Sequence, residues 1–405
     1  MKTIVIVDPF STGKLYAPLF NARGFQCVAV ISRPDLPAHF TDDLVPQDFK
    51  HILHWTEGAL DELIDLDISA VIAGCETAIH LTDALNGTLG LKGNSAATSE
   101  LRRNKFAMQQ ALVDHGLAHI HSSILTSQVD ISALLATIDP ARTYVIKPLN
   151  SAATQGVVFA QGPEQVSSAL NSAGWGQRND LGEVNQGFIV QPFISGPEYV
   201  VDMVAFNGSY VIASVCKYTK ILKNGSPFVY ESLDTLDPAD EQLSPLIDYA
   251  RKAAAALEIK VGPIHMEIIW SQSGPVMIEA GARLHGGIAP QLFENVYAPS
   301  LVTLAMQSYQ GEPAPLASSR QIRHGRIGFF CADQATAFKA PSTAVLNAAA
   351  NDVAYGGHKY FVKPDANTPV TIDFATCPGL FWLSHPQAAQ LDASTDTLRS
   401  LLWRQ

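Results

Sequence analysis

Two glutamates lie in a stretch of sequence that predicts a β-hairpin. Glu267 belongs to an apolar, strand-like run, residues 271–275 are turn-prone, and a second apolar run leads to Glu279. Neighbouring strands lie roughly 5 Å apart, so both carboxylates can share magnesium ions that are bound to the phosphates of a nucleotide. Arg283 follows on the same segment and is expected to face the same spot. The hairpin therefore predicts a metal site with a guanidinium beside it.

A lysine ends another apolar strand and is followed by a loop of small residues. Lys147 comes after residues 144–146 and precedes Pro148 and the loop 150–156, which reads NSAATQG. A lysine at a strand end is commonly only a solvated edge residue, but the backbone N–H groups of such a loop can bind phosphate oxygens. Lys105, at the start of a predicted helix, carries no information by itself, because charged helix faces are common.

The composition excludes several classes of protein. The chain has 405 residues, 47% of them hydrophobic and 16% charged, which is typical of a globular protein with two or three domains. The net charge of −11 argues against a nucleic-acid partner and favours small molecules. Five cysteines lie far apart, as expected in a reducing compartment. Because the sequence shows no signal peptide and no run of about 20 apolar residues, we expect a cytoplasmic protein without a membrane partner.

Secondary-structure patterns divide the chain into three parts. Alternating strand and helix patterns predict a small doubly wound α/β domain over residues 1–95. Residues 96–319 combine a second α/β unit with antiparallel strands, two of which are joined by an Asn-Gly turn. Residues 320–405 contain short strands separated by Pro-Gly and Gly-Gly turns, which predict a compact C-terminal subdomain.

Taken in chain order, these features resemble the ATP-grasp superfamily. The resemblance covers nearly the whole chain, and it implies an α/β fold with a central ATP-grasp domain at 96–319, whose lid spans about residues 143–190. The stretches AGCETAIHLTDAL, GLKGNSAATSELRRNKFAMQQAL and EAGARLHGG look most like the L-amino acid ligases, which form dipeptides. The resemblance rests on Lys105, Lys147, the loop 150–156, the segment 191–198 and the hairpin at 263–287.

The resemblance also implies a role for each group of polar residues. Two lysines would contact the phosphates of ATP, the backbone of a hinge strand would bind adenine, and an acid would bind the ribose hydroxyls. Glu267 and Glu279 would hold magnesium, and Arg283 would be the catalytic residue that steadies an acyl phosphate. The residues implied to contact ATP are Lys105, Lys147, Ser151, Gly156, Gln191, Phe193, Ile194 and Glu198.

The substrate side leaves alternatives open. Glu231 is the nearest match to an acid that binds the amine of the first amino acid in peptide-forming relatives, but an acid in a loop is often merely solvated. His285 either lines the acyl pocket or is a packed neighbour, and Gly286 lets a ligand approach the backbone. Together with Arg283, these three are the candidate substrate residues, and Glu76 at a strand end is a weaker one.

The implied activity is ATP- and magnesium-dependent amide formation between small amino acids, or between an amino acid and a small acid. A free carboxylate does not form an amide in water without activation, and an acyl phosphate made from ATP supplies that activation. One alternative is a ligase of the same fold that acts on a non-amino-acid carboxylate. Another is a non-catalytic nucleotide-binding relative, because Gly281 stands where many members of the superfamily have an asparagine metal ligand. Dimers are common in the superfamily, and a homodimer is one alternative for an oligomeric state that the sequence leaves open.

Overall fold

The computed structural model describes residues 1–56, 58–152 and 154–403. Its first four strands form a parallel sheet in the order β3-β2-β1-β4. Alternate residues of the first strand face two different apolar cores, one containing Val5 and Val7 and the other Ile4 and Ile6, so both faces of the sheet are covered. The elements are β1 (Thr3–Val7), α1 (Tyr16–Ala22), β2 (Gln26–Ile31), α2 (Ala38–Thr41), β3 (His51–His54), α3 (Ala59–Ile64), β4 (Ile68–Ala73) and α4 (Ile79–Thr88).

A second, antiparallel sheet of four strands carries the predicted phosphate loop. Its strand order is β5-β8-β6-β7, and the loop 150–156 joins β6 to β7, except that residue 153 lies outside the described residues. Helix packing against this sheet builds a separate apolar core that includes Ile146 and Val166. The elements are α5 (Lys105–Asp114), β5 (Ser123–Leu125), α6 (Ile131–Leu135), β6 (Thr143–Pro148), β7 (Val158–Gln161), α7 (Gly162–Ser172) and β8 (Phe188–Pro192).

The largest sheet has eight strands in the order β13-β12-β9-β10-β11-β16-β20-β18, and every pairing in it is antiparallel. The predicted hairpin forms the first two of these strands. The elements up to residue 309 are β9 (Glu198–Phe206), β10 (Ser209–Lys223), β11 (Ser226–Leu236), α8 (Ser244–Ala256), β12 (Val261–Ser271), β13 (Gly274–Gly281), α9 (Ala289–Phe293), β14 (Tyr297–Ala298) and α10 (Leu301–Tyr309).

Three C-terminal strands, β16, β18 and β20, extend the same large sheet, whereas β15 pairs with β14 and β17 with β19. A small core around Phe330 and Phe381 packs between the sheet and the last helices. The predicted boundaries at 95 and 319 stay a proposal. None of the described helices has the length and apolar character needed to cross a membrane. The remaining elements are β15 (Arg320–Gln321), β16 (His324–Phe329), β17 (Thr336–Ala337), α11 (Thr343–Ala350), β18 (Tyr355–Tyr360), β19 (Asn367–Thr368), β20 (Gly379–His385) and α12 (Ala388–Leu402).

A buried arginine joins the N-terminal sheet to the central part of the chain. Arg102 Nη2 lies 2.8 Å from Asp83 Oδ2 in α4, and its Nη1 donates to the carbonyl oxygen of Leu257, just after α8, at 3.3 Å. The guanidinium also donates to the carbonyl oxygen of Ser95 at 2.5 Å. Both charged side chains are almost completely shielded from solvent. Their pairing therefore fixes how the first sheet packs on the rest of the molecule.

We predict that Arg102→Met lowers the free energy of unfolding by about 3–5 kcal/mol, because it leaves the Asp83 carboxylate buried without its partner. Thermal unfolding followed by circular dichroism measures the loss. Arg251→Met is the matched control: its contact with Asp248 is exposed, with 3.8 Å between the charged atoms, so it should change the stability by less than about 0.5 kcal/mol. Equal effects of the two substitutions would contradict a junction role for Arg102.

Candidate active site

The hairpin places the two candidate metal ligands side by side. Glu267 in β12 is the register partner of Glu279 in β13, as the sequence predicts, and a β-bulge follows directly after Glu267. Their side chains remain 29% and 27% exposed, so both carboxylates are accessible to a ligand. Burial favours the neutral form of Glu267, but the hydrogen bond and charge of His265 outweigh it and lower the pKa of Glu267 to about 2.

Lys105 links the phosphate loop to this hairpin. Its Nζ lies 3.0 Å from Glu279 Oε2 and donates to the carbonyl oxygen of Ser151 at 2.6 Å. Asn104 fixes the start of α5, because its side chain accepts hydrogen bonds from the amides of Phe106 and Ala107. The cap fixes the first turn of α5, which carries Lys105. The Lys105 ammonium group therefore joins α5, the loop after β6 and strand β13.

Lys147 lies in the same charged group. It ends β6, where it is paired with Ile189 of β8, and it is buried. Burial lowers the pKa of Lys147, while the negative charge of Glu279 opposes this and the positive charge of Lys105 adds to it. The loop beyond it closes at Gly156, whose φ of +70° suits glycine and whose absent side chain would meet Pro148 at 2.9 Å.

The predicted hinge follows β8. Gln191 is buried and donates from Nε2 to Ser122 Oγ at 2.8 Å, while the amide of Phe193 donates to the carbonyl oxygen of Thr143 at 2.9 Å. The side chain of Phe193 is 42% exposed, and Ile194 beside it is half-buried. The strand and its first residues beyond are therefore held by the second sheet, with one aromatic ring exposed.

Aromatic side chains beside this hinge were not predicted from the sequence. Phe159 of β7 and Phe228 of β11 stack with ring centroids 3.7 Å apart, and Phe193 meets both rings edge-on at 5.8 and 6.2 Å. The three rings come from segments that belong to two different sheets. No periodicity marks them, so only the tertiary structure brings them together.

Lys220 is a second residue that the sequence does not reveal. Its Nζ lies 2.7 Å from Glu198 Oε2 and 4.4 Å from the ring centroid of Tyr230. Burial raises the pKa of Glu198, and the charge of Lys220 only partly offsets this effect. Glu198 also lies close enough to Glu267 and Lys147 for their charges to act on it. A lone lysine within a strand gives no sequence signal for such a role.

Arg283 is held by Glu76, which lies just after β4 of the N-terminal sheet. Its Nε donates to Glu76 Oε1 at 2.8 Å, and Arg103 Nη1 donates to Glu76 Oε2 at 2.7 Å. Arg103 Nη2 in turn lies 3.0 Å from Glu183 Oε1, on the segment just before β8. Burial favours protonation of Glu76, but Arg283 and Arg103 outweigh it and lower its pKa to about 2. The weaker sequence candidate, Glu76, is thus a central residue of this ionic network.

The same network accounts for the unusual glycine in the hairpin. A Cβ atom at Gly281 would lie 2.6 Å from Glu76 Oε1 and 3.3 Å from Arg283 Nε. A side chain at this position would therefore collide with the Glu76–Arg283 pair. Gly281 leaves room for the Glu76 carboxylate at a position where the resemblance predicts asparagine.

Next to the paired glutamates lies a buried cluster that the sequence analysis did not anticipate. Asp202 of β9, which is not exposed at all, accepts hydrogen bonds from His265 Nδ1 at 2.9 Å, His285 Nδ1 at 3.0 Å and Ser214 Oγ at 2.6 Å. Burial opposes ionisation of Asp202, but His285 and His265 hold its pKa well below the usual range. Burial would lower the pKa of His265, yet Asp202 and Glu267 raise it to about 9. The three distances to the Asp202 carboxylate, 2.6 to 3.0 Å, are those of hydrogen bonds.

The remaining substrate candidates lie on the same two parts of the chain. Glu231 was expected in a loop, and that expectation is wrong: it lies in β11, where the register with β10 shifts. No hydrogen bond links its carboxylate to the other candidate residues in the described part of the chain; its backbone carbonyl accepts from Arg399 at 3.3 Å. A Cβ atom at Gly286 would meet only open space.

Comparisons with known proteins agree with this geometry. The family model of the ATP-grasp domain matches residues 141–291. Dapdiamide A synthase from Enterobacter agglomerans is 32% identical over 313 residues, which cover 76% of this chain and 73% of that protein. The chain belongs to the ATP-grasp family. As a member of this family, it is an ATP-dependent ligase that forms C–N bonds.

Two further similarities describe how far the family likeness extends. The L-arginine-specific L-amino acid ligase of Bacillus subtilis is 25% identical over 234 residues, covering 57% of this chain and 55% of that protein. The crystal structure of an L-amino acid ligase from Bacillus licheniformis superposes with a TM-score of 0.75 at 18% identity, covering 99% of this chain and 98% of the other. The predicted α/β ATP-grasp fold is thereby confirmed for this ligase.

The pKa of Glu76 predicts how stability depends on pH. Because its folded-state pKa is about 2 against an ordinary value of 4.5, its contribution is full above the ordinary value and is lost as the pH falls from there towards 2. Glu76→Gln should lower the thermal midpoint at neutral pH, and the difference from the wild type should shrink in acid. Glu312→Gln, on an exposed loop, is the control. A difference that stays constant with pH would contradict the assignment.

Gly281→Asn should reduce turnover by on the order of tenfold or more, because the new side chain displaces Glu76 and with it Arg283. Steady-state phosphate release measures the effect. Gly87→Asn in α4 is the matched control for the loss of a glycine, since a Cβ atom there also has open space. Full activity of the Gly281 variant would show that Arg283 does not depend on this contact.

Proposed function

We propose that this ATP-grasp ligase joins two small amino acids, or an amino acid and a small acid, through an acyl phosphate, and releases ADP and phosphate. The observation that carries the proposal is the contact of Lys105 with both Glu279 and the phosphate loop. A cation for phosphate oxygens, a carboxylate for a metal ion and the loop after β6 meet there, the loop through the carbonyl oxygen of Ser151. Such a site suits phosphoryl transfer, which needs neutralised charge and in-line positioning.

The residues present fit a magnesium ion. Glu267 and Glu279 are opposite each other, are partly exposed, and offer the oxygen ligands that magnesium prefers. His265 keeps Glu267 ionised, which a metal ligand requires. In this proposal the two carboxylates hold the metal against the ATP phosphates, where it would neutralise negative charge. Gly281 has no side chain that could serve as a further ligand.

The other candidate residues take the roles implied by the family. Lys105 and Lys147 bind phosphate oxygens, and the strand end around Phe193 and Ile194, together with Glu198, binds the nucleoside. Arg283 uses Nε on Glu76 and Nη1 on the carbonyl oxygen of Leu284. Its Nη2 forms no hydrogen bond within the described part of the chain, and we assign that edge to the acyl phosphate.

Amino acids are the proposed substrates because one relative of this chain is an L-arginine-specific L-amino acid ligase. Dapdiamide A synthase and the L-arginine-specific L-amino acid ligase share the family, and the L-amino acid ligase structure shares the fold over nearly the whole chain. Glu231, His285 and Gly286 are the proposed contacts for them. A cytoplasmic location fits the five cysteines, all of them unpaired thiols. A homodimer remains part of the proposal.

A pairwise screen of the proteinogenic L-amino acids tests this function. Phosphate release from ATP should require a particular pair, and mass spectrometry should find the corresponding dipeptide together with ADP. Release that depends on a carboxylic acid but on no free amino acid would instead favour a ligase for a non-amino-acid carboxylate.

Glu279→Gln and Arg283→Ala should each reduce substrate-dependent phosphate release on the order of 100-fold or more, because each removes a charge that the transfer step requires. Arg251→Ala and Glu312→Gln, on exposed surface, serve as matched controls. Turnover near the wild-type rate in both site variants would contradict the proposed function.

A further inference from the structure

The buried histidine cluster lies on the same face of the large sheet as the paired glutamates. In β12, His265 is two residues before Glu267 and therefore points to the same side. Asp202 is the register partner of His265, and Ser214 is the register partner of Asp202 on the next strand. The cluster is thus one row of side chains away from the proposed metal ligands. His265 acts on Glu267, but nothing in the proposed metal or nucleotide contacts requires Asp202 to bind a second histidine, His285.

His285 is fixed within this row by contacts on several sides. Its Nδ1 lies 3.0 Å from Asp202 Oδ2, and its ring packs against His265 and Phe293 with centroids 4.2 and 5.5 Å away. The charged or titratable groups acting on it are Asp202 from β9, His265 from β12 and Arg283 from its own segment. Burial lowers the pKa of His285 and outweighs the opposing charge of Asp202, which favours the neutral ring.

This arrangement selects one tautomer of His285. Asp202 is ionised and can only accept, so Nδ1 of the neutral ring carries the proton and Nε2 carries the lone pair. Within the described residues, Nε2 has no hydrogen-bond partner. A carboxylate that holds an imidazole in a single tautomer, with the far nitrogen unoccupied, is the arrangement of a general base.

The proposed reaction needs such a base. The amine substrate arrives mainly as an ammonium ion, which has no lone pair with which to attack a carbonyl carbon. Other ionisable groups on this face are committed: Glu267 is proposed to bind metal, Glu76 is paired with two arginines, and both nitrogens of His265 face carboxylates. Arg283, assigned to the acyl phosphate, lies two residues before His285, and the space beside Gly286 is open.

We infer that His285, oriented by Asp202, is the general base that takes a proton from the amine substrate. The inference rests on the proposed function, which supplies the acyl phosphate. One N–H proton moves from the ammonium to Nε2, the freed lone pair forms the C–N bond, and the C–O bond to phosphate breaks. The second N–H proton leaves with the phosphate as its hydrogen form, and His285 returns its proton to solvent. His285 is the catalytic residue in this step, and Asp202 is a positioning residue.

The test compares two nucleophiles in one variant. Hydroxylamine is largely unprotonated at neutral pH, so it attacks an acyl phosphate without a base and gives a hydroxamate. In His285→Asn, amide formation from the best proteinogenic amino-acid pair should fall on the order of 100-fold. Hydroxamate formation from the same acid and hydroxylamine should stay close to the wild-type rate. Because the second reaction requires a folded enzyme and the acyl phosphate, it controls for both.

Asp202→Asn should show the same selective loss to a smaller extent, since it removes the charge that fixes the tautomer. His119→Asn, which replaces an exposed histidine, should leave both reactions unchanged. A proportional loss of both products in His285→Asn, or unchanged amide formation, would overturn the base role. Failure of the wild-type protein to form either product would overturn the proposed function, and the base role with it.

Discussion

The buried contact of Glu76 with Arg283 is the interaction on which the candidate active site depends. The Glu76 carboxylate accepts hydrogen bonds from two arginines: Arg283, which follows the β12–β13 hairpin, and Arg103, which precedes α5. In a low-dielectric surrounding, an unpaired charge is strongly disfavoured, so each member of this network needs the others. Because Glu76 follows the last strand of the N-terminal sheet, Arg283, the proposed catalytic residue, takes its place only when that sheet packs on the large sheet.

The same constraint explains why the site departs from the pattern of its superfamily. An asparagine at residue 281 could add a metal ligand, but its Cβ would fall within 2.6 Å of Glu76 Oε1. The position of the Glu76 carboxylate therefore requires glycine at residue 281. The structure has an ionic contact across the interface where the resemblance predicts a metal contact.

The large sheet places the candidate side chains in two neighbouring cross-strand rows. One row pairs Glu267 with Glu279, and the next contains His265, Asp202 and Ser214. Cross-strand register decides these neighbours, since residues two apart on a strand face the same side. Lys105 reaches the first row from a capped helix outside the sheet, and His285 reaches the second from the loop after β13. Separate parts of the chain thus converge on one face.

The sequence by itself determined the hairpin, the parallel first sheet and the resemblance to the ATP-grasp superfamily, because these depend on local periodicity and on residue types in a fixed order. It also singled out Lys105, Glu279, Arg283 and His285. Only the tertiary structure decided that Lys105 contacts Glu279, that Glu76 holds Arg283, and that Lys220 and Asp202 belong to the site. These contacts join residues that are far apart along the chain, and a lone charged residue in a strand has the same local pattern whether it is solvated or paired. Whether such a residue is solvated or paired is decided by how the sheets pack and by which charges that packing removes from water.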